Sequence, residues 1–281
     1  MATYGFHSSH EQIHPAALLK AVVRAEQAGF AAAMSSDHFS PWSARQGHSG
    51  FAWSWLGAAL QATGLRFGVV NAPGQRYHPA IVAQAIGTLA AMFPGRFWAA
   101  LGTGEASNEH ITGEGWPRKP VRTARLRECV DVIRALLAGE EVSHDGLVTV
   151  DRARLWTRPE TPPELVGAAV SVETARWCAE WADGLITVNA PIETLRRMIG
   201  AYRDAGGRGG WRSRFTSAGP RTTRRPWPSP TTSGGATSSA RPSAGTSTRP
   251  SSSTWCPRTC RRPGSPRWST SPRTRGGTPP G

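Results

Sequence analysis

The sequence has few of the residues that build metal sites or disulfide frameworks. It contains only four Cys in 281 residues. Cys129 and Cys178 fall in helix-like patterns, where a free thiol behaves as a small apolar residue. Cys256 and Cys260 form a C-P-R-T-C pair with no second Cys or His pair nearby, so the spacing does not predict a zinc site. We therefore expect no metal centre and no disulfide framework, which fits a reducing cytoplasm.

Long apolar runs are also missing from the sequence. No stretch approaches the roughly 20 consecutive apolar residues of a membrane-spanning helix. The chain begins MATYGFH, which lacks the basic start and the apolar stretch of a secretory signal. The expectation is a cytoplasmic protein without membrane contact.

The C-terminal quarter lacks most of the residues from which a protein core is built. From Trp211 to Gly281 there is no Leu, Ile, Val, Met, Lys, Asp or Glu. The same segment carries thirteen Arg, which leaves a net charge of +1 for residues 1–210 out of the formal +14. The basicity therefore belongs to the tail and does not describe the part that folds. We predict a folded domain over residues 1–206 and a disordered Arg-, Pro-, Ser-, Thr- and Gly-rich tail over residues 207–281.

Within residues 1–206, short apolar runs alternate with longer amphipathic segments. The pattern predicts strands over residues 3–6, 30–35, 65–70, 97–101, 165–169 and 184–188. It predicts helices over residues 15–27, 79–93, 121–138, 172–181 and 192–205, and a hairpin over residues 141–157. Strand–helix alternation is typical of an α/β fold with a parallel sheet, and no G-x-G-x-x-G follows the first strand. A (β/α)8 TIM barrel is therefore favoured; it takes about 250 residues, and only six of its eight units are supplied here.

Two explanations of the tail stay open. The first is a natural disordered segment whose Arg and Trp side chains bind nucleic acid nonspecifically. The second is a reading-frame error, because GC-rich DNA read in a wrong frame gives this restricted alphabet. Permissible codons for residues 216–235, shifted by one base, can encode HLSWAPDDETALAIAYDQWRG, which has a strand-like start and an amphipathic helix. We favour a frameshift near Gly206–Trp211 and expect the chain as written to be impaired and aggregation-prone.

Four polar blocks follow predicted strands, at the end where the active sites of such barrels lie. They read SSDHFSPW (35–42), NAPGQRYHP (71–79), LGTGEASNEH (101–110) and GAAVS (167–171). In this order and spacing they resemble the luciferase-like monooxygenase superfamily. Within it, the chain is most similar to the branch of F420-dependent glucose-6-phosphate dehydrogenase and its FMN-associated relatives. The resemblance covers residues 1–206 and implies a luciferase-like TIM barrel, which in intact relatives forms a homodimer.

The resemblance assigns the chemistry to three side chains. His38 matches the family's active-site histidine beside the flavin ring, and an imidazole with an ordinary pKa near 6.5 exchanges protons close to neutral pH. Trp42 matches an aromatic residue that flanks the reaction centre. Glu105 matches a carboxylate after strand four, a candidate general acid whose pKa the apolar barrel mouth would raise. The structural alternatives are a histidine that only caps the turn, a core tryptophan and a solvated loop carboxylate.

The resemblance also implies a set of cofactor contacts. Gly102 and Gly104 allow a flat cofactor to approach the backbone, and a non-prolyl cis peptide behind the flavin ring is expected at Val69–Val70. Small residues after strand five match the place where relatives bind the cofactor's phosphate tail, with packing alone as the alternative. For Asn108 the alternative is a cap on the following segment. The expected contacts are Asp37, Val69, Val70, Asn71, Gly102, Thr103, Gly104, Asn108, Gly167, Ala168 and Ala169.

The implied activity is hydride transfer between a flavin-type cofactor and a small organic substrate. FMN is preferred over F420 as the cofactor, and an oxygen-using monooxygenase is the mechanistic variant. Sugar-phosphate dehydrogenases of the branch carry a Lys after strand six, whereas this chain reads TVNAP over residues 187–191. Glucose 6-phosphate is therefore not the expected substrate. The alternative from another class is a truncated, non-enzymatic protein whose Arg-rich tail binds nucleic acid.

Overall fold

The main feature of the fold is one curved parallel sheet. The computed structural model describes residues 3–214. Seven strands of this range pair in the order β1-β2-β3-β4-β7-β8-β9, and each neighbouring pair is parallel. Two further strands, β5 and β6, form a separate antiparallel hairpin. The strands are β1 (Gly5–Ser8), β2 (Ala32–Ser36), β3 (Arg66–Asn71), β4 (Phe97–Leu101), β5 (Val142–Asp145), β6 (Thr149–Ala153), β7 (Leu165–Ala168), β8 (Gly184–Val188) and β9 (Gly210–Arg214).

Helices connect the strands of the parallel sheet. They are α1 (Pro15–Gln27), α2 (Ala52–Ala62), α3 (Pro79–Met92), α4 (Ala106–Glu109), α5 (Lys119–Ala138), α6 (Val172–Cys178) and α7 (Ile192–Asp204). Helices α1 and α3 begin alike, with a Pro in the first turn and a preceding His, His14 or His78, that accepts a hydrogen bond from a backbone amide. Helix α5 ends at Gly139, whose left-handed φ of 96° closes the last turn. Within residues 3–214, no helix combines the length and apolarity needed to cross a bilayer.

The predicted α/β barrel architecture is confirmed, and each predicted element lies within a few residues of its predicted position. Helix α2 was not predicted. Its sequence, AWSWLGAALQA, is apolar almost all the way round, and residues on more than one face are buried, including Trp53, Trp55 and Leu60. An element without a polar face gives no helical periodicity to detect.

The sheet extends past the predicted boundary at residue 206. Strand β9 pairs with β8 in a continuous register, from Gly184 opposite Gly210 to Val188 opposite Arg214. Residues 1–206 supply the six predicted β/α units, and β9 adds a seventh strand that was not predicted. Strand pairing uses backbone groups, so a segment without Leu, Ile or Val can add to the open edge of β8. Residues 215–281, on which the frameshift and nucleic-acid hypotheses rest, lie outside the described residues.

The two faces of the sheet pack differently. The outer face contacts the helices in a large core, whose fully buried side chains include Leu18, Leu56, Phe67, Ile86 and Ile133. The inner face holds a small separate cluster of Trp98, Ala100, Val166 and Ile186. Successive side chains of a strand point to opposite faces of the sheet, so alternate residues of one strand belong to the outer and the inner cluster.

Gly68 provides the space for the inner cluster. A Cβ atom at this position would overlap the indole ring of Trp98, so the ring lies directly across the backbone of β3. Val69, the next residue, points to the outer core and is fully buried. The close approach of ring to backbone therefore requires Gly at position 68.

A cis peptide bond was predicted at Val69–Val70, but this bond is trans in the structure. Val69 and Val70 are in register with Ser35 and Ser36 on one side and with Ala99 and Ala100 on the other. An extended trans backbone satisfies both ladders without a bulge.

Substituting Gly68 tests the packing of the inner cluster. We expect Gly68→Ala to lower the free energy of unfolding by about 1–3 kcal/mol, because the added methyl group overpacks the Trp98 ring. Gly57→Ala on α2 is the matched control: a Cβ there meets nothing within 4 Å, so this variant should be neutral or slightly stabilising. Urea denaturation followed by far-UV circular dichroism gives both values. Equal effects of the two variants would contradict the packing.

Candidate functional site

A cavity of about 430 Å3 opens at the carboxyl ends of the parallel strands. Side chains and backbone from β2, β3, β4, β7 and β8 and from the loops after them form its wall. Twelve of the residues predicted for the site line it: Asp37, His38, Trp42, Val70, Asn71, Gly102, Thr103, Gly104, Glu105, Asn108, Ala168 and Ala169. Residues from four separate sequence blocks therefore meet in one pocket.

Val69 and Gly167 do not line this pocket, and their contact with a cofactor stays a prediction. Val69 belongs to the outer core. A Cβ atom on Gly167 would lie 2.6 Å from Sγ of Cys178 on α6, so this position also faces the helices. Their neighbours Val70 and Ala168 line the pocket instead. Contiguous blocks were predicted as contacts, but strand alternation sends every second residue away.

His38 is held by a buried carboxylate. Its Nδ1 lies 2.5 Å from Oε1 of Glu11, and the Glu11 side chain is only 6% exposed. The Ser9 hydroxyl donates a hydrogen bond of 2.8 Å to the other oxygen of Glu11. Burial opposes ionisation of Glu11, but the hydrogen bonds from His38, its own backbone amide and Ser9 outweigh it and lower its pKa to about 2. Glu11 is therefore ionised at neutral pH and accepts the hydrogen bond from the His38 ring.

Trp42 lies beside His38 at the mouth of the pocket. The two ring centroids are 5.8 Å apart, and the ring planes are inclined by 38°. Trp42 is 57% exposed, which corrects the alternative of a core tryptophan. The side chain can thus cover a molecule bound next to the imidazole.

Glu105 and Asn108 occupy the loop after β4. Glu105 is exposed. Its expected role as a general acid depended on burial among apolar residues, and the structure does not show that burial. Asn108 is buried, and its Oδ1 accepts hydrogen bonds from the amides of Phe39 (2.9 Å) and Ser40 (3.1 Å). Its Nδ2 donates to Glu105 Oε2 at 3.4 Å. Asn108 therefore fixes the start of the loop that carries Trp42, in addition to lining the pocket.

A buried guanidinium lies under the pocket. Nη2 of Arg76 donates to the carbonyl oxygen of Asp37 at 2.6 Å and lies 3.7 Å from its Oδ2. Nε of Arg76 lies 3.5 Å from Oε1 of Glu109, and its backbone amide donates to Oε2 at 3.0 Å. Asn71 Nδ2 donates to Asp37 Oδ2 at 2.8 Å. Burial raises the pKa of Glu109, and the nearby Arg76 only partly offsets this effect.

Two cationic side chains of α5 also line the pocket, and one of them, Arg122, borders a small cavity together with Thr103 and Glu109. Lys119 and Arg122, one turn apart on α5, line the wall next to Thr174 of α6. Lys119 Nζ lies 3.8 Å from Glu173 Oε2, and the Arg122 guanidinium stacks 4.2 Å from the Trp116 ring centroid. The Ser171 hydroxyl caps α6 by accepting a hydrogen bond from the Thr174 amide. These cations are suited to an anionic group.

The sequence pattern did not identify Glu11, Arg76, Lys119 or Arg122 as site residues. Arg76 and Glu109 fall inside two of the quoted blocks. A charged residue at the end of an apolar strand could have indicated a buried ion pair there. Glu11 follows β1 and also lies at a strand end. For Lys119 and Arg122 of α5, the sequence shows only that they lie one helical turn apart. Among residues 3–214, no group of three or more His, Cys, Asp and Glu is arranged to hold a metal ion.

The lowered pKa of Glu11 predicts a pH-dependent contribution to stability. The folded-state pKa of about 2 is below the ordinary value of 4.5, so ionised Glu11 stabilises the fold above about pH 4.5. This contribution, on the order of 3 kcal/mol from the shift, is lost as the pH falls toward 2. We expect the difference in unfolding free energy between the wild type and Glu11→Gln to shrink between pH 5 and pH 2. Glu193→Gln, on an exposed side chain, is the control; a difference independent of pH would contradict the prediction.

Residues 2–224 match the luciferase-like monooxygenase family. The F420-dependent glucose-6-phosphate dehydrogenase of Kribbella flavida is 42% identical over 190 residues, which cover 66% of this chain and 57% of that protein. The homologous enzyme of Intrasporangium calvum is 43% identical over 192 residues, with 66% and 58% covered. The chain thus spans less than two thirds of the length of these curated relatives.

A solved structure supports the same relationship. An F420-dependent secondary alcohol dehydrogenase, crystallised with an F420–acetone adduct, superposes with a TM-score of 0.71 at 35% identity. The alignment covers 76% of this chain and 68% of that structure. Similarity in sequence and in backbone thus extends over most of the described residues. The chain belongs to the luciferase-like monooxygenase family.

Proposed function

We propose that the protein is an oxidoreductase that transfers a hydride between a deazaflavin or flavin cofactor and a small hydroxylated substrate. The observation that carries this proposal is the hydrogen-bonded pair of His38 and buried, ionised Glu11 at the wall of a 430 Å3 pocket. Such a pair accepts the proton of a substrate hydroxyl, and the carboxylate stabilises the imidazolium that forms. Trp42 covers the same end of the pocket.

The pocket fits a flat heterocyclic cofactor. Oδ1 of Asn71 is buried on the wall and has no hydrogen-bond partner among residues 3–214, so it can accept one from a polar ring edge. Gly102 and Ala168 lie side by side on the wall, since a Cβ on Gly102 would lie 3.3 Å from Cβ of Ala168. Arg122, Lys119 and the Thr174 hydroxyl, which also line the pocket, would hold a phosphate group. Bound F420 or FMN supplies the ring position that accepts the hydride.

The protein's own residues then divide the remaining tasks. In the oxidation of an alcohol, the C–H bond releases its electron pair as hydride to the cofactor, and the O–H proton passes to His38. Glu11 holds the imidazole in place through Nδ1, so that Nε2 is left for the substrate. Asn108 keeps the loop with His38 and Trp42 in position through the amides of Phe39 and Ser40. Glu105, at the rim, is the second candidate for proton exchange with the cofactor ring.

F420 is the cofactor we place first. The relatives that are 42–43% identical are named for F420, as is the structure at 35% identity. The pocket residues would also hold FMN, because both cofactors combine a flat tricyclic ring with a phosphate-bearing tail. The preference for FMN drawn from sequence is thus replaced here by F420, with FMN as the alternative to be tested.

Cofactor binding tests the proposal directly. Fluorescence titration compares F420 and FMN with the same ring systems lacking the phosphate-bearing tail, which are the ribityl deazaflavin and riboflavin. We expect Arg122→Gln to weaken binding of the preferred phosphate-bearing cofactor about tenfold, as for the loss of one charge-assisted hydrogen bond, and to leave its tail-less ring unaffected. Arg127→Gln on the exposed face of α5 is the matched control.

The possible results distinguish the proposed function from the proposed position of the cofactor phosphate. Binding of none of the four compounds rejects the proposed function for this chain. Binding of the rings with no effect of Arg122→Gln retains the function and rejects the phosphate position. The nucleic-acid alternative rests on residues outside the described range, and no contact of residues 3–214 favours it.

We also propose that the reading frame changes near Gly206–Trp211. The support is compositional: after this point the chain has no Leu, Ile, Val or Met, and a frame shifted by one base restores an amphipathic pattern. Pairing of β9 does not discriminate between frames, since it uses backbone groups. Resequencing the genomic DNA across the codons for residues 206–281 should reveal a missing or extra base. An unaltered sequence, with tail peptides detected in cells, would reject the frameshift.

A further inference from the structure

Three fully buried polar side chains lie at the carboxyl ends of β1 and β2, outside the 430 Å3 pocket. Ser8, His10 and Ser35 are each 0% exposed, and none of them lines that pocket. The two hydroxyl groups and both ring nitrogens of His10 have no hydrogen-bond partner among residues 3–214. Polar atoms buried in this way destabilise a fold unless they form hydrogen bonds. These four atoms therefore call for a partner that the protein itself does not supply.

Ser8 and Ser35 are neighbours on the outer face of the sheet. They lie opposite each other in the parallel register of β1 and β2, and adjacent strands are about 4.8 Å apart. Ser35 comes two residues after Ala33 of the outer core, so its side chain also faces the helices. Ser8 stands in the same relation to Phe6, which packs against that core. The two hydroxyl groups are thus side by side between the sheet and its helices.

The His10 ring lies between the sheet and α2. His10 follows Ser8 by two residues, and its ring centroid is 4.9 Å from that of Trp55 on α2, in an edge-to-face arrangement. Trp55 in turn packs against Phe67 of β3, with the ring centroids 6.1 Å apart, in the outer core. The indole nitrogen of Trp55 donates to the carbonyl oxygen of Pro15 and does not bond to His10. Aromatic packing therefore fixes the ring of His10 and leaves its nitrogens without a partner.

His10 is the uncharged histidine next to the pair of Glu11 and His38. Burial lowers the pKa of His10; the carboxylates of Glu11 and Asp37 only partly oppose this effect, and the His38 ring adds to it. At neutral pH the ring is therefore neutral, with one nitrogen as a donor and the other as an acceptor. The Glu11 carboxylate already bonds to His38 and Ser9. Two hydroxyl groups and a neutral imidazole suit a small neutral molecule that both donates and accepts hydrogen bonds.

From this arrangement we infer that Ser8, His10 and Ser35 form a buried binding site for at least one ordered water molecule, next to Glu11. Buried waters typically make about two to four hydrogen bonds to groups that have no other partner, which the three side chains offer. A metal ion does not fit, since no group of three His, Cys, Asp and Glu within residues 3–214 is arranged to hold one.

The bound water has a consequence for the neighbouring pair. It gives the His10 ring hydrogen bonds while the ring is uncharged, so His10 does not compete with His38 for the Glu11 carboxylate. The inference does not depend on the proposed function, because the site lies outside the pocket for the cofactor.

Oxygen-17 magnetic relaxation dispersion of the full chain tests the site, because it counts water molecules with long residence times. His10→Phe replaces the imidazole by an apolar ring, and Ser35→Val replaces a hydroxyl by methyl groups. Each variant should contain at least one long-lived water fewer than the wild type. Thr63→Val is the matched control: it removes a buried hydroxyl that already donates to the carbonyl oxygen of Ala59 at 2.8 Å, so the count should not change.

A high-resolution crystal structure of the wild-type chain gives a second measurement that does not depend on the folding of a variant. We expect a water at about 2.7–3.2 Å from a ring nitrogen of His10 and from a hydroxyl of Ser8 or Ser35. A site without such density overturns the inference. An unchanged water count in both His10→Phe and Ser35→Val, or an equal loss in Thr63→Val, also overturns it. Failure of F420 and FMN to bind rejects the proposed function and leaves the water site standing.

Discussion

The guanidinium of Arg76 joins three strand ends at the pocket. It reaches the backbone of Asp37 after β2 and the carboxylate of Glu109 after β4, while it is itself part of the loop after β3. Removing a partner from such a buried group leaves an uncompensated charge, which typically costs about 3–5 kcal/mol. The positions of His38, Asn71 and Asn108 follow from these contacts, because each is bonded or adjacent to a member of the group. The pocket thus depends on an ion pair that the substrate does not touch.

Charge in the pocket is distributed by element. The loops after β2 and β4 bring carboxylates, α5 brings cations, and β8 brings aliphatic side chains. Strands β2, β4 and β8 belong to one continuous sheet, which fixes where their ends meet the pocket, and α5 adds its cations from outside that sheet.

Much of the fold was predictable from sequence because its signals are local. Helix α1 begins at Pro15 and strand β4 spans Phe97–Leu101, as the pattern predicts. Helix α2 was missed because it is apolar on most faces. Strand β9 was missed because it pairs with β8 through backbone groups, and the amino-acid composition of a segment does not reveal such pairing.

The site was predictable in its location and less so in its partners. Polar blocks after strands identify the pocket, and the resemblance identifies His38. Neither tells which residue of a strand faces inward, and Val69 and Gly167 face the helices and not the pocket. Glu11 and Arg76 act through contacts across 27 and 33–39 residues, which a single sequence does not reveal.

The ring of Trp98 has a consequence for the wall of the pocket. It lies across Gly68 inside the curved sheet and packs with Met34, Val70 and Ala168, which themselves line the pocket. Three side chains of the pocket wall therefore rest on one rigid aromatic ring that does not itself line the pocket. A change in how the ring packs against Gly68 would reach a bound ligand through Met34, Val70 and Ala168, because a close-packed interior transmits strain.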